Sequence, residues 1–504
     1  MLRAAAVFSD HMVLQRNKKI AVFGQGVSGK EITVTLGQDR AQTRCRDGKW
    51  IAYLPEREAQ ENLCMEISDG DERICFTDIA IGEVWLAGGQ SNMELELKDA
   101  EGGAALLTQG SFPRIRFYYT PKQAYMGEHY EEEERRSHWE QFDEKAAAKW
   151  SAVGFFFAEE LARRLQVTVG IIGCNWGGTS ASCWMSREAI LSRELTRSYI
   201  EEYESSALIA KPEAEQIREY QEYQRYQEQW DQKAAAVYEK EPMMPFDRVQ
   251  ELIGPCQYPG PMNCANFTRQ AGLYETMLKR VMPYTLRGFI YYQGESDDHK
   301  PKSYYALLTG LIGQWRQDWG DDTLPFLLVQ LPMHRYQHDP DTKSWCLIRE
   351  SQMRAYQTLR GTGIAVAIDC GQFHEIHPKQ KKPVGERLAL QALAGVYHLI
   401  PEKDAFGPVY RDFLYRDGGM EITFDYAGEG LVCRREKPTG FELAGADGVF
   451  REAEAVMTGN RVFLRAEEVQ EPVMARYLWT NYGEVTVFGA NGLPMAPFRT
   501  HKFD

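Results

Sequence analysis

Basic residues are in short supply. The 504-residue chain carries 58 Lys and Arg against 72 Asp and Glu, a formal charge of -14 at pH 7. A surface of that sign repels phosphate, so nucleic acid is not an expected partner. Long apolar runs are also missing: none is continuous enough to cross a bilayer, and no membrane partner is expected. The opening MLRAAAVFSDHMVLQR has no secretory h-region, because Ser9, Asp10 and His11 interrupt its apolar patch. A cytoplasmic address is therefore expected. The ten cysteines stand singly and never at C-x-x-C spacing, which argues against a zinc site or a redox motif. Reduced, mostly buried thiols are expected.

What is present is the composition of a soluble globular protein, 43% hydrophobic and 26% charged. At this length two or three domains are expected. Between Lys19 and Phe76, short alternating runs (KIAVFGQG, EITVTLG, WIAYLPE, ENLCMEISDG) are separated by turn residues, the pattern of a small sandwich-like β module over 1–80. From 81 to 400, β-like runs alternate with amphipathic helical ones, which implies a mostly parallel α/β sheet. A polar, Tyr-rich helical excursion at about 187–251 interrupts this rhythm. It reads as a solvated helical arm or as a lid or subunit contact, and the last reading admits a homo-oligomer. Short strands return over 401–504 as a second β module.

Four glycine-rich polar stretches follow apparent strands: GGQSNM (88–93), GCNWGGTSASCW (173–184), YYQGESD (291–297) and DCGQFHEIHPKQKKPVGERLA (369–389). In an open α/β sheet, loops at the carboxyl ends of strands converge on one crevice. A serine there becomes a nucleophile if a histidine takes its proton. The charge developing on the attacked carbonyl oxygen must then meet fixed N–H donors, worth roughly 3–4 kcal/mol each. Ser91 is the candidate nucleophile, with its own N–H as first oxyanion donor. Gly177 or Gly178 offers the second and the Gln293 carboxamide the third. His377, stiffened by Pro378, is the candidate base. His374 and His377 form H-x-x-H, which does not place two imidazoles on one helix face, and no metal or other cofactor is expected. Trp176, Trp184, Tyr291 and Tyr292 lie close enough in sequence to stack on a sugar, although large aromatics mostly bury area.

These blocks, with GEVWLAGGQSNMELEL, RGFIYYQGESD and IHPKQKKPVGERLA in order, resemble the sialate O-acetylesterase family of SGNH (GDSL-like) hydrolases from about Phe8 to Leu390. The resemblance implies a flavodoxin-like, three-layer α/β/α hydrolase domain with flanking all-β modules, no metal, and removal of acetyl groups from sugars. It makes Ser91 the nucleophile and His377 the catalytic histidine. It places Gly178 and Gln293 in the oxyanion hole. For the acid it favours Glu375, in Glu375-Ile376-His377-Pro378, with Glu295, Asp369 or a bare dyad as rivals; His374 stands where many SGNH hydrolases have Asp. The implied substrate is O-acetylated sialic acid. Acetylated hemicellulose oligosaccharides (xylan, xyloglucan, mannan) are alternatives, and a non-catalytic carbohydrate-binding protein is the alternative from another class.

Overall fold

The computed structural model describes residues 1–206, 210–241, 244, 246–336 and 338–501. The expected excursion at 187–251 and the C-terminal module to 504 thus lie partly outside the described residues. The central sheet is built from β1 (Arg73–Gly89), β2 (Ile115–Tyr119), β3 (Trp139–Gln141), β4 (Val169–Asn175), β5 (Gly288–Tyr292), β6 (Phe326–Gln330) and β7 (Thr362–Val366), in the order β3-β2-β4-β1-β5-β6-β7. All neighbours pair in parallel except the edge strand β3. Without the edge pair β2 and β3, the remaining five strands run 2-1-3-4-5 in chain order, the flavodoxin-like arrangement. The α/β class expected from alternating runs is borne out.

Strands β4, β5 and β6 are buried along their whole length because helices cover both faces. On one face lie α2 (Ala152–Leu165) and α7 (Lys382–Gly395), which pack on each other; α5 (Tyr304–Asp318) and α6 (Ser344–Thr358) form a second such pair. Side-chain alternation along β1 separates the layers: Trp85 meets Phe157 of α2 edge-on at 5.2 Å, whereas Gly88 faces Trp315 of α5. Helix α2 starts where Ser151 Oγ accepts the Gly154 N–H, and it ends at Gln166 in the left-handed conformation (φ 57°). Its Val153 and Phe156 lie against Gly385, where a Cβ would come within 2.6 Å of Phe156.

The N-terminal strands fall where the turn residues put them, over Ile20–Gln25, Glu31–Leu36, Asp39–Arg44, Lys49–Leu54 and Gln60–Ser68. The boundary at residue 80 needs correcting, because it falls inside β1. The first half of β1 pairs antiparallel with Gln60–Ser68, its middle pairs with Val13–Gln15, and its second half lies in the central sheet. The burial pattern changes along it from alternating to continuously buried. One sheet therefore runs through the N-terminal module and the α/β domain, and one core joins all three regions. The C-terminal strands dock beside the sheet through a two-pronged Arg499–Glu350 pair at 2.7 Å and through Asp341, which accepts the Asn481 N–H at 3.0 Å. All ten thiols are free; five are buried, while Cys64 and Cys75 are exposed, so burial is less general than expected.

Glu83, fully buried in β1, ties the N-terminal segment to the sheet. Its carboxylate accepts from Arg16 at 2.6 Å, Arg287 at 2.8 Å and Gln15 at 3.1 Å. Burial pushes this carboxyl up, but the two guanidiniums outweigh it and hold it below the usual carboxylate range. Its stabilising contribution is therefore present at neutral pH and lost only as pH falls through that lowered value. Glu83→Gln is expected to lower the unfolding free energy by about 3 kcal/mol at pH 7, measured by urea denaturation. The gap to wild type should narrow in acid.

Candidate active site

Strand β1 ends in Gly88-Gly89 for steric reasons. A Cβ on Gly88 would stand 2.8 Å from the Trp315 ring; Gly89 has φ +133°, and a Cβ there would lie 2.1 Å from the Tyr292 carbonyl oxygen. Only glycine fits. The Gln90 N–H then bonds Tyr292 O at 3.1 Å, and the chain turns into the short helix α1 (Ser91–Glu94). Ser91 thus stands at the carboxyl ends of β1 and β5, where the strand order reverses and ligands of such sheets bind. His377 Nε2 lies 2.8 Å from Ser91 Oγ. The nucleophile and base expected from sequence meet, although 286 residues separate them.

The half-exposed imidazole is held below its ordinary value, chiefly because the protein displaces water around it. Lys381 pushes in the same direction, and Glu375 and Glu94 oppose. A histidine so tuned is unprotonated at neutral pH and ready to accept a proton.

Of the candidate acids, only Glu375 stands beside this ring, and it does so loosely. Its Oε1 accepts the His377 backbone N–H at 2.8 Å and lies 3.9 Å from Nδ1, too far for a hydrogen bond. Asp369 is committed to a bidentate pair with Arg387 at 2.6 and 2.7 Å. Glu295 is buried behind the nucleophile and accepts from Asn92 Nδ2 at 2.5 Å. His374 packs on Phe373 with ring centroids 3.8 Å apart.

Ser91 and Gly178 have backbone N–H groups with no internal partner among the described residues, as an oxyanion hole requires. Gly177 is adjacent, since a Cβ on it would lie 3.1 Å from Ser91 Cβ, but its N–H is already given to Glu94 Oε2 at 2.6 Å. This favours Gly178, at φ +74°, over Gly177. Gln293 is a correction. It is buried, and its carboxamide donates inward, to Asp297 Oδ2 at 2.6 Å and Thr179 O at 3.2 Å, while Oε1 accepts from Tyr304 at 3.0 Å. One amide hydrogen holds the 176–180 loop and the other is given to Asp297, leaving none for an oxyanion.

Similar proteins point to the same class of enzyme. Residues 252–394, which hold His377 but not Ser91, match the family described as carbohydrate esterase, sialic acid-specific acetylesterase. The rat sialate O-acetylesterase is 26% identical over 88% of this chain and 82% of its own length, and the human one 25% identical over 78% and 71%. A crystal structure of a carbohydrate acetylesterase from Xanthomonas citri superposes with a TM-score of 0.79 at 27% identity, covering 99% of this chain and 100% of that one. The chain is a carbohydrate esterase related to the sialate O-acetylesterases.

In this esterase, three residues that the sequence left unassigned or misassigned join the nucleophile to the base. Asn92 donates to the Ile376 carbonyl at 2.9 Å as well as to Glu295, and Lys381 donates to its Oδ1. Burial pulls Lys381 down to about 8 against the pull of Glu295, and burial raises Glu295. Asn92, a polar residue directly after the nucleophile, was the one available signal. Trp184, Tyr291 and Tyr292 are core residues; only Trp176 is part-exposed, stacked on Phe267 at 4.8 Å with Lys122 5.7 Å over its ring. In the excursion's main helix, α3 (Glu213–Lys240), burial raises the Tyr238 phenol and the Glu375 charge adds to it.

The 3.9 Å separation sets the expected behaviour of Glu375→Gln. Because no hydrogen bond to Nδ1 is lost, kcat should stay within about tenfold of wild type, far from the loss of about 10⁴ seen when a bonded triad Asp is replaced. Glu375 raises the His377 value, so removing its charge should move the acid limb of kcat/KM to lower pH. A pH–rate profile of the two proteins checks both.

Proposed function

We propose that the esterase removes O-acetyl groups from sugars through an acetyl-enzyme on Ser91, and that O-acetylated sialic acid is its substrate. The observation that carries the mechanism is the 2.8 Å contact between His377 Nε2 and Ser91 Oγ. Attack by Oγ on the acetyl carbonyl carbon passes the hydroxyl proton to Nε2. The resulting oxyanion sits against the Ser91 and Gly178 N–H groups. Collapse expels the sugar oxygen, which takes the proton back from His377. Water then attacks the acetyl-enzyme with His377 as base, releasing acetate. The sialic acid assignment is supported by the names of the matched family and of the mammalian relatives. The SGNH reading is supported by the flavodoxin-like strand order with the serine at its point of reversal.

Acetate release from 9-O-acetylated sialic acid, beside acetylated xylo-, xyloglucan- and manno-oligosaccharides, tests this directly. Wild type should release acetate, fastest from the sialic acid, and Ser91→Ala should lose at least about 1,000-fold in kcat. Equal release by the two proteins would remove the acetyl-enzyme. Faster release from an oligosaccharide would move the substrate to that class.

A further inference from the structure

With Gln293 turned inward, the oxyanion hole has two donors, and a phenol stands over one of them, Gly178. The hydroxyl of Tyr258 lies directly over Gly178: a Cβ on that glycine would fall 1.5 Å from the phenol oxygen. Gly178 is thus required twice, for its positive φ and for the space the tyrosine takes. The ring is half-exposed, tilted against Phe267 at a centroid distance of 6.2 Å, and its hydroxyl has no hydrogen-bond partner among the described residues. Burial raises the phenol to about 12, so it keeps its proton across the working range and can only donate to an anion.

The excursion holds Tyr258 there. Its α4 (Phe246–Ile253) packs on α3 through a small core of its own containing Trp230, Ala234 and Val249. The strap that follows is pinned along α3. Trp230 Nε1 donates to Gly254 O at 2.9 Å and Tyr226 to Pro255 O. The Gln216 carbonyl and side chain take Asn263 Nδ2 and the Cys264 N–H, each at 3.0 Å. Asn266 Nδ2 closes the loop by donating to Pro259 O at 3.0 Å and Pro261 O at 2.9 Å. The strap is thus fixed at several points and leaves one phenol without a partner over the oxyanion loop.

We propose that Tyr258 is a further catalytic residue, donating its hydroxyl hydrogen bond to the oxyanion beside the Gly178 N–H. The inference rests on the acetyl-enzyme reading. Tyr258→Phe keeps the ring and its packing and removes only the donor, so the folded protein should keep its thermal midpoint. The expected result is a fall in kcat of about 10- to 100-fold with KM within about twofold, equal on 4-nitrophenyl acetate and on an acetylated sugar. An unchanged kcat on both substrates would overturn the proposal. So would a loss confined to the sugar with raised KM, since that would make Tyr258 a sugar contact. Ser91→Ala assayed alongside separates the two claims: if it keeps wild-type activity, the acetyl-enzyme fails whatever Tyr258→Phe does.

Discussion

The site depends on one buried carboxamide. Asn92 is fully buried, and every polar atom of its side chain is used: the two amide hydrogens on Glu295 and the Ile376 carbonyl, the oxygen on Lys381. Because Asn92 follows the nucleophile and Ile376 precedes the base, this amide sets the distance between Ser91 and His377. In a dry interior each unmade hydrogen bond costs about 1–3 kcal/mol, so alternative positions of the histidine loop are disfavoured. A second tie, from the Glu101 N–H to Lys379 O at 2.9 Å, holds the same loop on its far side. The imidazole is therefore placed through its backbone, which accounts for how little Glu375 touches the ring.

The rest of the fold can be read as support for that contact. Close packing at Gly88 and Gly89 forces the sharp turn that lifts Ser91 out of the sheet. Gln293, Asp297 and Tyr304 form a buried network that fixes the loop after β4, with Asp297 also accepting from Ser180, Ala181 and Tyr199. The helical excursion has a small core of its own, and the strap that follows it sets Tyr258 over Gly178.

Much of this was legible in the chain. Alternating strand and helix runs marked the parallel sheet, and polar glycine-rich stretches after strands marked the crevice. Ser91 and His377 were readable because their chemistry demands each other. What could not be read depends on tertiary contacts. Gln293 has the right chemistry for an oxyanion donor, but Thr179 and Asp297 claim its hydrogens, and nothing in the spelling of YYQGESD says so. The boundary at residue 80 looked sharp because the burial pattern changes there, yet a single strand can change from half-exposed to buried while remaining one strand, as β1 does. The edge strand β3, its neighbour β2 and the strap carrying Tyr258 lack strong periodicity and went unread.

Asn92, through the Ile376 carbonyl, holds the base against the nucleophile. The most direct measurement is the rate at which a serine-directed phosphonate labels Ser91 in Asn92→Ala, taken with the thermal midpoint of the same protein. The account predicts a folded variant that labels about 100-fold more slowly than wild type, because His377 is no longer held within reach of Ser91 Oγ. A folded Asn92→Ala protein labelled at the wild-type rate would contradict it.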